Sequence, residues 1–319
     1  MCSILGIIDF EKKITLKKDI IRNLNQKLKH RGPDDEGYYD DKIVSFGFNR
    51  LSIIDLNLGN QPIVNNDVIS IFNGEIFNFK KLKSELEEIG FNFKTRSDSE
   101  VVNIAYQAWG PNFIKKLDGM FAIAIYDKKI KKIFLYRDRV GIKPLFYYYK
   151  NNTFLFSSEI KGIIHYPYFR KEINFSAIYS YLNFRYTTNS NLNFFKDVHR
   201  VKPGHYYEIN LDSAKIQDIC YWSVPKIEYL EERKESYYLE KLDFLLNKSI
   251  KSQMISDVPI GVFLSGGLDS SLISAIANKY SNNKLNTFSV RFDEAGYDES
   301  NKTELMKNYL KTNHLNVTI

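Results

Sequence analysis

Val258-Pro259-Ile260-Gly261-Val262-Phe263-Leu264-Ser265-Gly266-Gly267-Leu268-Asp269-Ser270-Ser271 passes from an apolar run through two glycines into a segment with helical spacing. A strand that ends in a glycine turn and feeds a helix is the first half of a βαβ unit. Outward from it, Tyr238 to Met254 reads as an amphipathic helix. After it come helix Asp269 to Tyr280, strand Thr287 to Phe292, helix Asn301 to Lys311 and strand Leu315 to Ile319. Strands alternating with helices specify a parallel, doubly wound sheet. The last strand reaches Ile319, leaving about three strands where such sheets have roughly five. A parallel sheet needs cover on both faces. The expectation for residues 236–319 is therefore an incomplete α/β doubly wound domain, a fragment or a chain that depends on another.

The glycine turn itself carries chemistry. Between a strand and a helix, Ser265, Gly266, Gly267, Asp269, Ser270 and Ser271 would turn backbone N–H groups and hydroxyls toward an anion, beside the positive end of the helix dipole. The segment lacks the lysine of the G-x-x-x-x-G-K-[ST] loop and the spacing of a dinucleotide fingerprint. An Asp/Ser helix cap after a glycine turn would read the same way.

Residues up to Ile209 have a different grain. Short β-rich runs at Ile43 to Phe48, Val68 to Asn73, Gly119 to Tyr126, Ile133 to Arg137 and Phe154 to Ser157 are interleaved with helical spacing at Leu16 to Leu28 and Phe79 to Ile89. Ser97-Asp98-Ser99-Glu100 reads as a helix start before Val101 to Trp109, with Asp98 a candidate cap. This pattern suggests a layered α+β domain over residues 2–209. The stretch 210–235, with mixed charge, Pro225 and little periodicity, reads as a linker.

Bulk properties narrow the function. A chain of 319 residues exceeds what one core usually organises. Its 44% hydrophobic and 26% charged content excludes disordered and fibrous classes. The net charge of +7 comes mostly from lysines scattered along the chain, a solvated surface with no basic block for nucleic acid. Cys2 and Cys220 are the only cysteines, which argues against a disulfide framework and fits a reducing, cytoplasmic setting. The apolar start is interrupted at Asp9 without a basic leader, and no run approaches the roughly 20 apolar residues of a membrane helix. The five histidines, His30, His165, His199, His205 and His314, show no ligand spacing, so neither a protein-held metal nor a catalytic histidine is assigned.

Removal of Met1 would make Cys2 the first residue, giving one residue both a thiol and a free amine that titrates near about 8. Alone, a cysteine at position 2 is weak evidence. Asn73-Gly74 alone is a hairpin turn, and Arg50 alone a surface strand residue.

The order of segments changes the reading. Cys2-Ser3-Ile4-Leu5-Gly6-Ile7, His30-Arg31-Gly32-Pro33-Asp34, Arg50-Leu51-Ser52-Ile53-Ile54-Asp55, Asn73-Gly74-Glu75-Ile76-Phe77-Asn78 and Ser97-Asp98 resemble, in sequence order, the class II glutamine amidotransferases. Those are N-terminal-nucleophile hydrolases, and the likeness implies an α+β sandwich of αββα layers. Arg137-Asp138-Arg139-Val140-Gly141-Ile142-Lys143-Pro144-Leu145 and Ser158-Glu159-Ile160-Lys161 resemble the asparagine-synthetase branch. Ser265 to Ser271 is similar to the pyrophosphate loop of the ATP-pyrophosphatases.

The resemblance implies roles by position. Cys2 attacks the side-chain amide of free glutamine to give a thioester and ammonia, and Asn73 with Gly74 forms the oxyanion hole, where one donor is worth about 3 kcal/mol of barrier. Arg50 takes the α-carboxylate, Glu75 and Asp98 the α-ammonium, and Leu51, Ser52, Ile53 and Ile54 complete the glutamine site. ATP would lie against Leu264, Ser265, Gly266, Gly267, Asp269, Ser270, Ser271 and Val290, with Mg2+ on its phosphates. Aspartate is the implied acceptor, activated as an adenylate and aminated by ammonia, and a homodimer is compatible with the family. The chain departs from the pattern where the family has a downstream S-G-x-[GA]-x-D-E-like segment. That leaves open an amidotransferase of the same architecture acting on another carboxylate, or a non-catalytic relative. Retention of Cys2, Arg50, Asn73 and Asp98 counts against the latter.

Overall fold

The structure is a computed structural model that describes residues 1–15, 17–189, 192–226, 232–291 and 300–318. Two compact units divide it, Met1–Pro225 and Lys226–Ile319. The first unit begins with β1 (Ser3–Asp9), α1 (Lys17–Gln26), β2 (Asp35–Asp40), β3 (Val44–Arg50), β4 (Ile63–Asn65), β5 (Val68–Ile76), α2 (Phe79–Glu88) and α3 (Asp98–Trp109). It continues with β6 (Gly119–Asp127), β7 (Lys132–Arg137), β8 (Phe146–Lys150), β9 (Thr153–Ser157), α4 (Lys161–Ile164), α5 (Phe175–Phe184), β10 (Val198–Arg200), β11 (His205–Asn210) and β12 (Ile216–Cys220).

These strands form two antiparallel sheets, in the orders β10-β8-β9-β1-β3-β2 and β12-β11-β7-β6-β5-β4. Side chains alternate across a strand, and β1 shows why both of its faces must be covered. Ile4 and Ile8 join Phe46, Phe48, Ile71, Ala124 and Leu135 between the sheets. Leu5 and Ile7 face the other way, onto Ile21, Leu24 and Leu28 around α1. All seven residues of β1 are buried, each large aliphatic side chain contributing about 1.5–3 kcal/mol. On the far side, Val101, Val102, Ile104 and Ala105 of α3 are buried, with α3 packed on β5 and β4 of the second sheet, and Phe79, Leu82 and Leu86 of α2 are buried beside α3. Helix, sheet, sheet, helix is the αββα sandwich.

Several expected elements take a different form. The stretch 210–235 is not wholly a linker: Ile216–Cys220 pairs with β11 as the edge strand of the second sheet, and the first compact unit runs to Pro225. Its Ile-Gln-Asp-Ile-Cys pattern is too short and polar to announce a strand, and the pairing of β11 supplies what propensity does not. Residues 227–231 of that stretch lie outside the described residues. So do Leu16, Phe292 and Ile319, the ends of three expected elements. Asn73 and Gly74 sit inside β5, paired with Ala122 and Phe121, rather than in a turn.

The second unit contains α6 (Glu235–Gln253), β13 (Gly261–Phe263), α7 (Leu268–Tyr280), β14 (Asn286–Arg291), α8 (Ser300–Leu310) and β15 (Asn313–Thr318). The three strands are parallel and in sequential order, so right-handed crossovers put α7 and α8 on one face. The covered face is partly polar: Thr287 is fully buried and meets His314 Nδ1 at 2.9 Å, and Ser289 meets His314 Nε2 at 2.8 Å, with Val262 on the same face by register. The opposite face carries Phe263, Phe288, Val290, Leu315 and Val317 by register. Phe263 is 79% exposed and Leu315 56%, so among the described residues this apolar face has no cover.

Candidate active site

The central position of β1 sets the site. Cys2 immediately precedes it, and Ser3 pairs with Asn49 at the end of β3. Cys2 Sγ therefore meets the backbone that follows β3: Leu51 N–H donates to the sulfur at 3.3 Å, and the sulfur lies 3.6 Å from Leu51 O. Arg31 Nε holds the Cys2 carbonyl at 3.0 Å, and Arg31 is itself fixed by Glu159 at 3.0 Å. Burial pushes the thiol above its ordinary range, while the Leu51 N–H and the positive amino terminus pull it back.

Cys2, Arg50, Leu51, Ile53, Ile54, Gly74, Glu75 and Asp98 line one cleft, joined by Gly59, Gln61, Phe72 and Ser97. Asn73 is next to the wall, 1% exposed, and its Nδ2 is a buried donor with no partner among the described residues. An orphaned buried amide costs about 1–3 kcal/mol, which makes it a donor awaiting an acceptor. Gly74 N–H is aimed by strand alternation. Phe72 N–H donates to Gln61 Oε1 and Ile76 N–H to Asp98 Oδ2, so the N–H of the residue between them leaves the same edge of β5. A Cβ at Gly74 would lie 2.1 Å from Met120 O, so only glycine allows this pairing of β5 with β6.

Ser97, not Asp98, caps α3, accepting from Ser99 N–H at 3.2 Å. Asp98 occupies the first turn, where its Oδ2 accepts from Ile76 N–H at 3.1 Å. Glu75 and Asp98 are both held above the ordinary carboxylate range. Burial is the main cause at each, with the Asp98 charge adding to it at Glu75 and backbone N–H groups offsetting it at Asp98. A buried and a half-buried carboxyl that resist ionising together suit a cation that would let both ionise.

Arg50 lines the cleft, yet its terminal nitrogens already hold a loop. Nη1 donates to Leu56 O and to Asn60 Oδ1 at 2.6 Å; Nη2 donates to Ile54 O and to Asp55 O at 2.6 Å. The loop is thereby drawn over the site, leaving about 30 Å³ of room. Ser52 is not in the wall; its N–H donates to Asp34 Oδ2 at 2.7 Å.

Lys143 was given no role by the sequence. It is 6% exposed, its Nζ is 3.5 Å from Met1 Sδ, and its charge acts on Glu75 and Cys2. The only sequence signal is three basic residues and an aspartate in Arg137-Asp138-Arg139-Val140-Gly141-Ile142-Lys143, beside a strand too apolar to need them.

In the second unit the strand-to-helix turn forms as expected, though β13 is shorter than Val258 to Leu264. Leu264 is buried and donates its N–H to Phe288 O at 2.8 Å. Gly266 has φ of +78°, left-handed backbone that glycine tolerates. Ser265 Oγ meets Ser270 Oγ at 3.0 Å, and Asp269 lies in the first turn of α7. Ser271 N–H is already bonded to Gly267 O at 3.0 Å, so free donors are to be sought earlier in the turn. Val290, on β14, is half exposed on the uncovered apolar face. No three His, Cys, Asp or Glu among the described residues converge to hold a metal, and no helix among them is long and apolar enough to cross a membrane.

Comparison with known proteins matches residues 1–222 to the family described as glutamine amidotransferase domain and residues 241–319 to the family described as asparagine synthase. The chain is 36% identical to a putative glutamine-hydrolyzing asparagine synthetase 2 of Methanocaldococcus jannaschii, covering 98% of this chain and 64% of that one. It is 37% identical to glutamine-hydrolyzing asparagine synthetase 2 of Bacillus subtilis, over 91% of this chain and 40% of that one. The chain thus spans roughly half the length of such relatives. Among solved structures, the glutamine phosphoribosylpyrophosphate amidotransferase of B. subtilis complexed with ADP and GMP superposes with a TM-score of 0.52 at 15% identity, over 99% of this chain and 81% of that one. That likeness gives the fold, the sequence matches give the kinship, and together with the cleft around Cys2 they establish that the chain belongs to the glutamine amidotransferase domain family.

Proposed function

We propose that the first unit hydrolyses glutamine and that the resulting ammonia serves asparagine synthesis. The observation that carries the first step is the cleft itself: Cys2, Arg50, Gly74, Glu75 and Asp98 share one wall, and Asn73 Nδ2 beside it lacks an acceptor. With Met1 removed, the amine of Cys2 takes the thiol proton through a bridging water, and the sulfur attacks the carboxamide carbon. The oxyanion is met by Asn73 Nδ2 and Gly74 N–H. Its collapse expels ammonia as the Cys2 amine hands the thiol's proton to the leaving nitrogen, and water resolves the thioester to glutamate, restoring the thiol. Glu75 and Asp98 hold the α-ammonium. Arg50 meets the α-carboxylate after exchanging loop carbonyls for it, the guanidinium being able to pair with both oxygens.

The second half of the reading rests on the asparagine synthase match over 241–319. ATP would lie at the turn of Ser265 to Ser270 with Leu264 and Val290 near its base, Mg2+ arriving on the phosphates. A nucleotide at the N-terminal end of α7 suits the helix dipole. Aspartate would be activated there as an adenylate and aminated. A reducing cytoplasmic setting, which keeps Cys2 a thiol, and homodimeric assembly complete the reading; light scattering measures the latter.

The test is Cys2→Ala. Glutamate formation from glutamine should vanish, and unchanged turnover removes the reading. Intact mass establishes whether Met1 is absent, and ammonia- and aspartate-dependent pyrophosphate release tests the acceptor.

A further inference from the structure

Lys143 is a buried ammonium delivered to the amino terminus by two other buried charges. Arg137 Nε donates to Lys143 O at 3.0 Å and its Nη2 to Gly141 O at 2.9 Å. Asp138 accepts from Ile142 N–H at 2.8 Å and from Lys143 N–H at 2.9 Å. Both backbone polar groups of Lys143 are thus fixed by side chains, and its Nζ ends 3.5 Å from Met1 Sδ. Across the same sulfur stands Arg31 Nη2 at 4.0 Å, while Arg31 Nε holds the Cys2 carbonyl. No carboxylate lies within ion-pair distance of Lys143 among the described residues, although burying an unpaired ammonium is costly. Burial lowers the proton affinity of Lys143 itself, and the charges of Glu75 and Cys2 raise it again.

The charged and titratable groups that act on the terminus and on Lys143 are the cations Arg31 and Lys143, the Cys2 thiol, and the acids Asp34, Glu75 and Asp138, with Asp98 acting on Cys2 and Glu75. Glu159 is engaged by Arg31 and His30, and Asp138 by backbone N–H groups. We propose that Lys143 is a positioning residue of the glutaminase centre, a fixed cation that keeps the terminal amine of the trimmed chain in its free-base form, ready to accept the Cys2 proton. A protonated amine cannot act as the base, and a like charge beside it disfavours protonation. Burial, Arg31 and Lys143 all lower the affinity of the existing terminal amine for a proton, against the Cys2 thiol and Asp34.

This proposal rests on the glutaminase reading, and its test has a readout independent of turnover. The pH dependence of acylation of the terminal amine by isotope-labelled acetic anhydride is measured by mass spectrometry in the full chain, in Lys143→Met, Lys143→Gln and Lys143→Arg, each checked for loss of Met1 and for its melting temperature. Both neutral variants should raise the pKa of the amine by about one unit, while Lys143→Arg leaves it close to that of the parent chain. The acidic limb of kcat/KM for glutamine hydrolysis should move by the same amount. An unmoved amine in a folded neutral variant overturns the proposal, as does an arginine variant shifted like the neutral ones. A shifted amine in a chain whose parent form never hydrolyses glutamine supports the electrostatic role and overturns the glutaminase reading alone.

Discussion

The peptide N–H of Leu51 donates to Cys2 Sγ at 3.3 Å, so the sulfur is held against the first residue of the loop that closes its own cleft. Because burial lifts the thiol above its ordinary range, iodoacetamide at pH 7 should modify the exposed Cys220 before Cys2. Glutamine should slow the modification of Cys2 alone. Peptide mass mapping reads both, and equal protection of the two cysteines would separate the cleft from glutamine.

The lone donor at Asn73 separates a catalytic role from a structural one. Asn73→Ala should lower kcat by about 10²–10³-fold, the loss of one oxyanion donor, with little change in KM. Folding should not suffer in proportion, because Nδ2 has no partner to lose; removing an unsatisfied buried donor relieves about 1–3 kcal/mol against a small cavity cost. A large fall in melting temperature with kcat preserved would make Asn73 a packing residue.

Glu75 and Asp98 give a pH dependence of known sign. Their folded pKa values are raised above the ordinary carboxylate range, so their contribution to stability is fully present below the unfolded pKa of about 4 and is lost as pH rises through the raised range. Denaturant titrations should show stability of the first unit declining from mildly acid to neutral pH, and Asp98→Asn should flatten the decline. The ammonium of glutamine acts oppositely, favouring the ionised pair, so binding near pH 6 should release protons. Calorimetry in buffers of different ionisation enthalpy measures this; proton uptake would contradict it.

Gly266 is the mechanical test of the proposed nucleotide turn. Its φ of +78° disfavours any side chain, and a Cβ would lie 2.6 Å from Lys302 Cβ and 2.8 Å from Thr303 N. Gly266→Ala should therefore weaken nucleotide binding by at least tenfold, about 1.4 kcal/mol, and leave glutamate formation untouched. Loss of both activities together would place Gly266 in the fold rather than in the turn.

How far these features were legible from residues alone depended on which force fixed each one. Helix α3 and strands β3, β5, β6, β7 and β9 fell within about three residues of their expected positions, because periodic apolar residues facing a core determine both pattern and structure. Strands β2 and β12 did not, since Asp35–Asp40 and Ile216–Cys220 lack alternation and owe their shape to neighbouring strands. The gathering of Cys2 with Arg50, Gly74, Glu75 and Asp98 followed from the ordered motifs. Three things did not follow: the missing acceptor of Asn73 Nδ2, the commitment of Arg50 to four loop acceptors, and the ammonium of Lys143. Each depends on which groups meet in space after the sheets pair, and no spacing along the chain encodes that.

The placement of Cys2 one residue ahead of an inner strand has a practical consequence at the bench. An affinity tag fused upstream, or even a single leftover residue from its cleavage, would acylate the nitrogen proposed as the base and extend polypeptide from the place Met1 holds beside Arg31 and Lys143. Purification handles therefore belong at the other end of the chain, and a batch whose first residue is heterogeneous should show catalytic output in direct proportion to the fraction that begins at Cys2.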